Sequence, residues 1–271
     1  MDAYAVFGNP IEHSLSPDIH KMFAEQTSQA LTYEKIQAPL DDFSATITAF
    51  VERGGKGANV TLPFKVQAFQ LASKKSQAAI DAQAVNTLVF HDDGTVEGCN
   101  TDGMGLIQDL THNHHYSLRQ KRILILGAGG AVRGIVAPLL EQAPDKLVIA
   151  NRTQAKAMSL AEQFQFMGSI EGRGLDAIDD GPYDLILQGT SLRDDQTIAL
   201  PDTLVGAHTW CYDLNYNREA QTPFVSWAVG RGAQKALDGV GMLVEQAAAA
   251  FYIWRGIYPD TSAAIQQFSS A

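Results

Sequence analysis

The stretch "KRILILGAGGAVRG", residues 121 to 134, constrains the fold more than any other. Basic residues precede a continuous apolar run, Ile123 to Leu126, that reads as a strand buried on both faces. A glycine-rich turn and a helix follow, and a second apolar strand, "KLVIANR", begins near Lys146. Strand, glycine turn, helix, strand is the order of a dinucleotide-binding βαβ unit. Gly127 suits the tight turn, while Gly129 and Gly130 let backbone N–H groups approach a pyrophosphate at the helix N-terminus. The bland alternative is a tight strand-to-helix turn with no ligand. The third fingerprint position is Val132 instead of Gly or Ala, which predicts looser packing of helix on strand.

The end of "KLVIANR" bears on which dinucleotide would bind. An NAD-binding unit usually places Asp or Glu there, to accept from the ribose 2′-hydroxyl. This chain has Asn151, Arg152 and Thr153, with Lys156 one helical turn on. A guanidinium suits a 2′-phosphate because it is permanently charged and presents a planar fork of donors. A solvated arginine near a helix start is the alternative.

Further strands are expected at "YDLILQGTS" and "TWCYDLNY", so the second block reads as a parallel, doubly wound sheet. The first hundred residues differ. Strand-like "AYAVFG", "LTYEKI" and "GANVTL" alternate with helix-like "SPDIHKMFAEQT" and "LDDFSATITAFVERG", and "AVNTLVF" and "TVEGCN" flank an Asp93-Gly94 hairpin turn. The fold class is therefore α/β with two domains: an N-terminal mixed-sheet unit and a Rossmann-like doubly wound unit. The tail from Gly239 is mostly helical and suited to packing on the first block. The expected domains are 1–101 plus 239–271, a discontinuous unit, and 102–238.

Composition excludes several functional classes. The net charge of −10 and the lack of a concentrated basic patch argue against nucleic acid or an anionic membrane as partner. Two cysteines, Cys99 and Cys211, make neither a disulfide framework nor a zinc knuckle, so a reducing, cytoplasmic setting is expected. The opening "MDAYAVFGNP" lacks a basic n-region, and "GMLVEQAAAAFYIW" is broken by Glu245 and Gln246, so neither signal peptide nor membrane span is expected. The "HNHH" run at His112, His114 and His115 lies in a polar stretch and is read as solvated surface; no metal is assigned.

The remaining chemistry lies in scattered polar residues. In "NVTLPFK", Asn59 and Thr61 share one face of the expected strand, with Val60 and Leu62 on the other. Pro63 suits the first position of a helix, which puts Lys65 in the first turn, where the helix dipole disfavours a cation. Something negative should compensate it. Ser14 and Ser16, two apart, point the same way if extended and both could donate to one carboxylate, although Ser16 ahead of Pro17 and Asp18 is also a strong N-cap. Asp102 precedes a helix, where capping is the default. Asn86, inside an apolar strand, bonds either core backbone or a ligand; Gln246, beside alanines, reads as exposed or helix-packing.

Together "GNPIEHSLSP", "GANVTLPFK", "AVNTL", "NTDG", "GAGGA", "NRT" and "DGVGMLVEQAA" resemble the shikimate dehydrogenase family, in order and over nearly the whole chain. The resemblance implies reversible NADPH-dependent reduction of 3-dehydroshikimate to shikimate, a step towards aromatic amino acids, with Lys65 and Asp102 as catalytic pair. It assigns Ser14 and Ser16 to the substrate carboxylate, and Asn59, Thr61, Asn86, Asp102, Tyr216 and Gln246 to other substrate contacts. It places NADP on Gly127, Ala128, Gly129, Gly130 and Ala131 for the pyrophosphate, and on Asn151, Arg152, Thr153 and Lys156 for the adenosine phosphate. Leu214 and Gly239 would lie near the nicotinamide. A monomer or homodimer is expected. The chain departs from the family in "QGTSLRDD", where Gln188 and the charged Arg193, Asp194 and Asp195 replace a smaller stretch, and in Lys156, where many relatives have Arg. The alternatives are a quinate/shikimate dehydrogenase using NAD, which an acidic residue in place of "NRT" would favour, and a catalytically silent nucleotide-sensing module.

Overall fold

The computed structural model describes residues 1–178, 181–190, 200–217 and 219–269. In chain order the first elements are β1 (Asp2–Gly8), α1 (Ser16–Gln26), β2 (Leu31–Gln37), α2 (Phe43–Glu52), β3 (Gly55–Val60), α3 (Lys65–Leu71), β4 (Lys74–Lys75), α4 (Gln77–Ala82), β5 (Thr87–Phe90), β6 (Val96–Cys99) and α5 (Asp102–Gln108). They are followed by a π-helical turn at Asp109–Asn113, then β7 (Arg122–Leu126), α6 (Gly130–Glu141), β8 (Lys146–Asn151), α7 (Gln154–Phe164), β9 (Ile170–Gly174), β10 (Leu185–Gln188), β11 (Trp210–Asp213), α8 (Pro223–Gly230), β12 (Lys235–Leu237), α9 (Val240–Arg255) and α10 (Ser262–Phe268). The chain forms two compact units, residues 1–106 with 243–267, and residues 107–242 with the end from Phe268. Asp102 thus belongs to the first unit and not, as the sequence suggested, to the second; the chain leaves the first unit within α5 and returns within α9.

In the first unit the strand order is β2-β1-β3-β5-β6-β4. β1 pairs parallel with β2 and β3, whereas β5 runs antiparallel to both β3 and β6. The Asp93-Gly94 turn joins β5 to β6, and the Asp93 carboxylate accepts the Thr95 N–H at 2.8 Å. The centre of β1 is buried on both faces, as its apolar run requires. On one face Phe7 meets Phe43 and Phe50 edge-on, and Phe43 stacks on Phe64 at 4.8 Å. On the other, the C-terminal α9 returns: Trp254 stacks on Tyr4 and donates its indole N–H to the Leu88 carbonyl at 3.0 Å. The expected strand over "GANVTL" ends at Val60. Leu62 is 55% exposed because the chain turns there towards α3, which breaks the alternation.

The second unit has the order β12-β11-β10-β7-β8-β9, every pair parallel, which is the doubly wound Rossmann order. Leu124, Leu126, Val148, Ala150 and Ile186 fill its core. The edge strands β9 ("IEGRG") and β12 ("KAL") escape a reading of the sequence because they are short and only partly buried, and so carry no apolar run. The connection through β10 crosses back beside β7, so the sheet reverses its winding at the C-terminal end of β7, where the glycine turn lies. Among the described residues no helix is long and apolar enough to cross a membrane.

Candidate active site

Lys65 opens α3, and its backbone is fixed by the Val85 N–H, which donates to its carbonyl at 2.9 Å. Its ammonium donates to Asp102 Oδ2 at 2.5 Å, with the two side chains only 12% and 6% exposed. The carboxylate supplies the negative partner that a lysine at the positive end of a helix requires. Asp102 is the first residue of α5 but not its cap: its own N–H donates to Asn100 Oδ1 at 3.0 Å. Its carboxylate is taken up by charge-assisted bonding to Lys65, and the Asn100 side chain makes an Asx turn just ahead of the helix.

Asn86 holds the carboxylate from the other side. It is 2% exposed, and its amide donates to Asp102 Oδ1 at 2.8 Å and to Thr101 Oγ1 at 2.9 Å. Its Oδ1 accepts from the Thr101 N–H and from the Thr87 hydroxyl, both at 2.9 Å. The two alternatives for a buried asparagine thus merge, since core backbone bonds orient an amide that faces the Lys65–Asp102 pair. Gln246, half-buried on α9 and not exposed, turns its Oε1 towards the same point, 3.3 Å from Asn86 Nδ2, while its Nε2 donates to the Leu243 carbonyl at 2.7 Å.

The expected capping by Ser16 does not occur. Leu15 occupies the N-cap of α1 with no side-chain bond, and Ser16 is the first helical residue. The Ser16 N–H instead donates to Ser14 Oγ at 3.3 Å, and the two hydroxyl oxygens lie 3.2 Å apart, a pair suited to two donors for one anion. Thr61 continues the chain from β3, its N–H donating to the Phe7 carbonyl at 2.8 Å. Asn59, 6% exposed, bonds on all sides: its amide donates to the Asn86 carbonyl and Thr87 Oγ1, and its Oδ1 accepts from the Tyr33 phenol at 2.7 Å and faces His20 Nε2 at 3.2 Å. Tyr33, His20, Thr87, Thr101 and Asn100 do not emerge from the sequence. The only signal is the unbroken polar run "NTD" after Cys99, which hints at Asn100 and Thr101 but not at the others.

His20 is fully buried, and loss of solvation pushes its pKa down to about 3, so the ring is neutral at physiological pH. In the unfolded chain it titrates near 6.5, so between these values the unfolded state binds the extra proton and stability rises with pH. Its contribution is complete above about pH 6.5 and is lost on acidification at up to about 1.4 kcal/mol per pH unit. Urea titrations of wild type and His20→Gln from pH 7 down to pH 4 should diverge with that slope; parallel curves would show that the folded protein protonates His20 freely.

In the second unit Gly127 adopts φ +110° and donates its N–H to the Ala150 carbonyl at 2.8 Å, a left-handed turn that a side chain would strain. Gly129 is exposed at the start of α6, and among the described residues a Cβ there would meet nothing within 4 Å; Ala128, Gly130 and Ala131 beside it are partly buried. Val132 does not loosen the packing as expected: it is fully buried, and its Cγ2 takes up the space that a Cβ of Gly189 would need, so the missing side chain of Gly189 makes its room. At the end of β8, Asn151 Nδ2 donates to the Thr153 carbonyl at 2.9 Å, and Arg152, Thr153 and Lys156 are exposed with no carboxylate among them. Gly189 is followed by Thr190, whose N–H donates to Gln188 Oε1 at 3.1 Å; Gln188 is fully buried, so its larger side chain folds inward onto the turn. Arg193, Asp194 and Asp195 lie outside the described residues. Leu214 and Gly239 come together, the place of a Gly239 Cβ being 2.5 Å from the Leu214 carbonyl oxygen. Tyr216 also lies in this unit, partly buried. An open glycine turn, a helix N-terminus and a cation-bearing strand end fit a dinucleotide with a 2′-phosphate. Of the three histidines in "HNHH", His114 is only partly solvated: it packs edge-on against Trp210, 3.8 Å from Asp109.

The two sheets, the open glycine turn and the lysine–aspartate pair define an α/β protein of the nucleotide-linked dehydrogenase class. Family models match in three blocks: the shikimate dehydrogenase substrate binding domain over residues 6–88, shikimate/quinate 5-dehydrogenase over 109–181, and the shikimate 5′-dehydrogenase C-terminal domain over 239–267. A shikimate dehydrogenase (NADP(+)) of Coxiella burnetii is 52% identical over 100% of this chain and 99% of its own. Among solved structures, an Ael1 enzyme from Pseudomonas putida is 42% identical with a TM-score of 0.90, covering 100% of this chain and 99% of its own. Shikimate 5-dehydrogenase from Thermus thermophilus, in complex with NADP(H) and shikimate, is 31% identical with a TM-score of 0.86, covering 99% and 100%. The chain belongs to the shikimate dehydrogenase family.

Proposed function

We propose that the protein catalyses the reversible, NADPH-dependent reduction of 3-dehydroshikimate to shikimate. The observation that carries this reading is the Lys65–Asp102 pair, 2.5 Å apart, nearly buried and braced by Asn86. NADPH, held by residues 127 to 131 and 151 to 156, would supply a hydride to the ring carbonyl carbon. Lys65 then delivers a proton to the oxygen that becomes the hydroxyl, and in the reverse direction takes it back. Asp102 holds the ammonium in place, and Asn86 fixes the carboxylate. Ser14 and Ser16 donate to the substrate carboxylate, and Thr61, Asn86 and Gln246 face its hydroxyls, with Asn59 bonded behind Asn86; Tyr216 is a further substrate contact that the family resemblance assigns. The first unit is thereby the substrate unit and the second the NADP unit, in which residues 127 to 131 take the pyrophosphate, Leu214 and Gly239 the nicotinamide end, and Asn151 to Lys156 the adenosine phosphate. A cytoplasmic monomer or homodimer that does not bind nucleic acid accords with two buried free cysteines and a net charge of −10.

The coenzyme test is direct. Charge-assisted bonds contribute about 1.5 to 3 kcal/mol each, so two contacts from the Asn151 to Lys156 turn favour NADP over NAD by about 10² or more. Shikimate oxidation should show that preference, and salt should weaken it. Arg152→Ala should raise KM for NADPH sharply and leave KM for NADH nearly unchanged, because NADH has no phosphate to lose. An unchanged ratio would place Arg152 in solvent.

A further inference from the structure

The direction of every hydrogen bond around Asn59 follows from one acceptor. The Asn86 backbone carbonyl only accepts, so the group facing it at 3.2 Å is Asn59 Nδ2, and Oδ1 must face Tyr33 and His20. Tyr33 therefore donates its phenolic proton, and neutral His20 carries its proton on Nε2, leaving Nδ1 without a partner among the described residues. The second Asn59 N–H goes to Thr87 Oγ1 at 3.1 Å, so the Thr87 proton turns onwards to Asn86 Oδ1 at 2.9 Å. With its oxygen occupied, Asn86 points its amide at Asp102, and Asp102 presents its other oxygen to Lys65. Protons thus run one way from Tyr33 through Asn59, Thr87 and Asn86 to the carboxylate. The phenol also adjoins the Ser16 hydroxyl.

We propose that Tyr33 is a positioning residue: its phenolic proton fixes the Asn59 amide, and through Thr87 and Asn86 that orientation sets the Asp102 carboxylate that aims Lys65. The inference rests on the function proposed above for the Lys65–Asp102 pair. Without the hydroxyl, Asn59 Oδ1 keeps only His20, and the amide gains freedom to swing or flip. The ring itself has a separate job, because it stacks on His20 at 4.4 Å and 10°, and a phenylalanine preserves that stack. Tyr33→Phe therefore removes the proton given to Asn59 and the contact with the Ser16 hydroxyl, and keeps the ring.

Steady-state kinetics on the full chain supply one arm. Tyr33→Phe should lower kcat for shikimate oxidation about ten-fold, with KM for NADP unchanged and KM for shikimate moved less than about three-fold. Parallel losses in both KM values and in thermal midpoint would make Tyr33 a mere fold support, and kcat within two-fold of wild type, on the order of RT or less, would also overturn the proposal. The second arm needs no turnover: the side-chain amide resonances of Asn59 and Asn86 in the ligand-free protein should both shift in Tyr33→Phe. A shift confined to Asn59 would end the relay there and refute it. Wild type inactive on shikimate would overturn the function reading instead, while the resonances would still decide the relay.

Discussion

Lys65→Ala should lower kcat by at least about 10² while leaving the affinity for shikimate within an order of magnitude, because a positioned proton donor contributes about 10² to 10⁴ in rate. The structure adds a second expectation. Asp102 is buried and would be left without its cation, and breaking a buried pair from one side typically costs about 3 to 5 kcal/mol. Asn86 and Thr101 stay nearby, so part of that cost is offset by the amide still donated to the carboxylate. Asp102→Ala should be comparably slow, with an ammonium left in a nearly closed site. The double variant should be scarcely slower than either single one, since the pair acts as a unit, and more stable than Lys65→Ala because no unpaired charge remains. Near-normal kcat in Lys65→Ala would remove the lysine from the proton transfer and leave it a helix-start residue neutralised by its neighbour.

Shikimate should exceed analogues lacking a ring hydroxyl by up to about 10⁴ in kcat/KM, because a site built to hydrogen-bond a substrate hydroxyl loses that bond and gains nothing in its place when the hydroxyl is missing. Asn86 at 2% exposure and Asn59 at 6% are held by bonds within the protein and cannot turn to compensate. Quinate, whose carboxylate leaves a saturated, additionally hydroxylated carbon, should also be turned over far less efficiently, since the Ser14–Ser16 pair is fixed by the start of α1 and does not follow a displaced carboxylate. Parallel kcat/KM measurements on the three substrate types check this. Equal efficiency on quinate would point to a quinate/shikimate dehydrogenase.

Local pattern and tertiary position each account for part of this reading. Residues 122 to 151 announce their fold because a parallel strand buried on both faces must be continuously apolar, and because a turn opening a helix onto a ligand excludes side chains; both demands act within a few residues. Edge strands β9 and β12 are invisible for the same reason, since half-buried strands of three to five residues leave no pattern. Ser16 and Asp102 are legible as polar residues at helix starts but read as caps, because capping is the local default, whereas here Ser14 and Lys65 offer stronger or better-placed partners. Pairing Lys65 with Asp102 without the family resemblance is beyond any spacing rule, as 37 residues and several strands of a mixed sheet separate them. Tyr33 and His20 are beyond reach altogether: a tyrosine in a strand and a histidine on a helix face read as ordinary packing residues. The α/β class, the nucleotide turn and the cationic strand end are legible in the sequence alone, because each is written in contiguous residues. That Tyr33, Asn59, Thr87 and Asn86 form one directed line of hydrogen bonds emerges only from the folded chain, because the strand order sets β2 and β3 on either side of β1, so that the Tyr33 phenol reaches Asn59, and pairs β3 with β5, which brings Asn59 to Thr87.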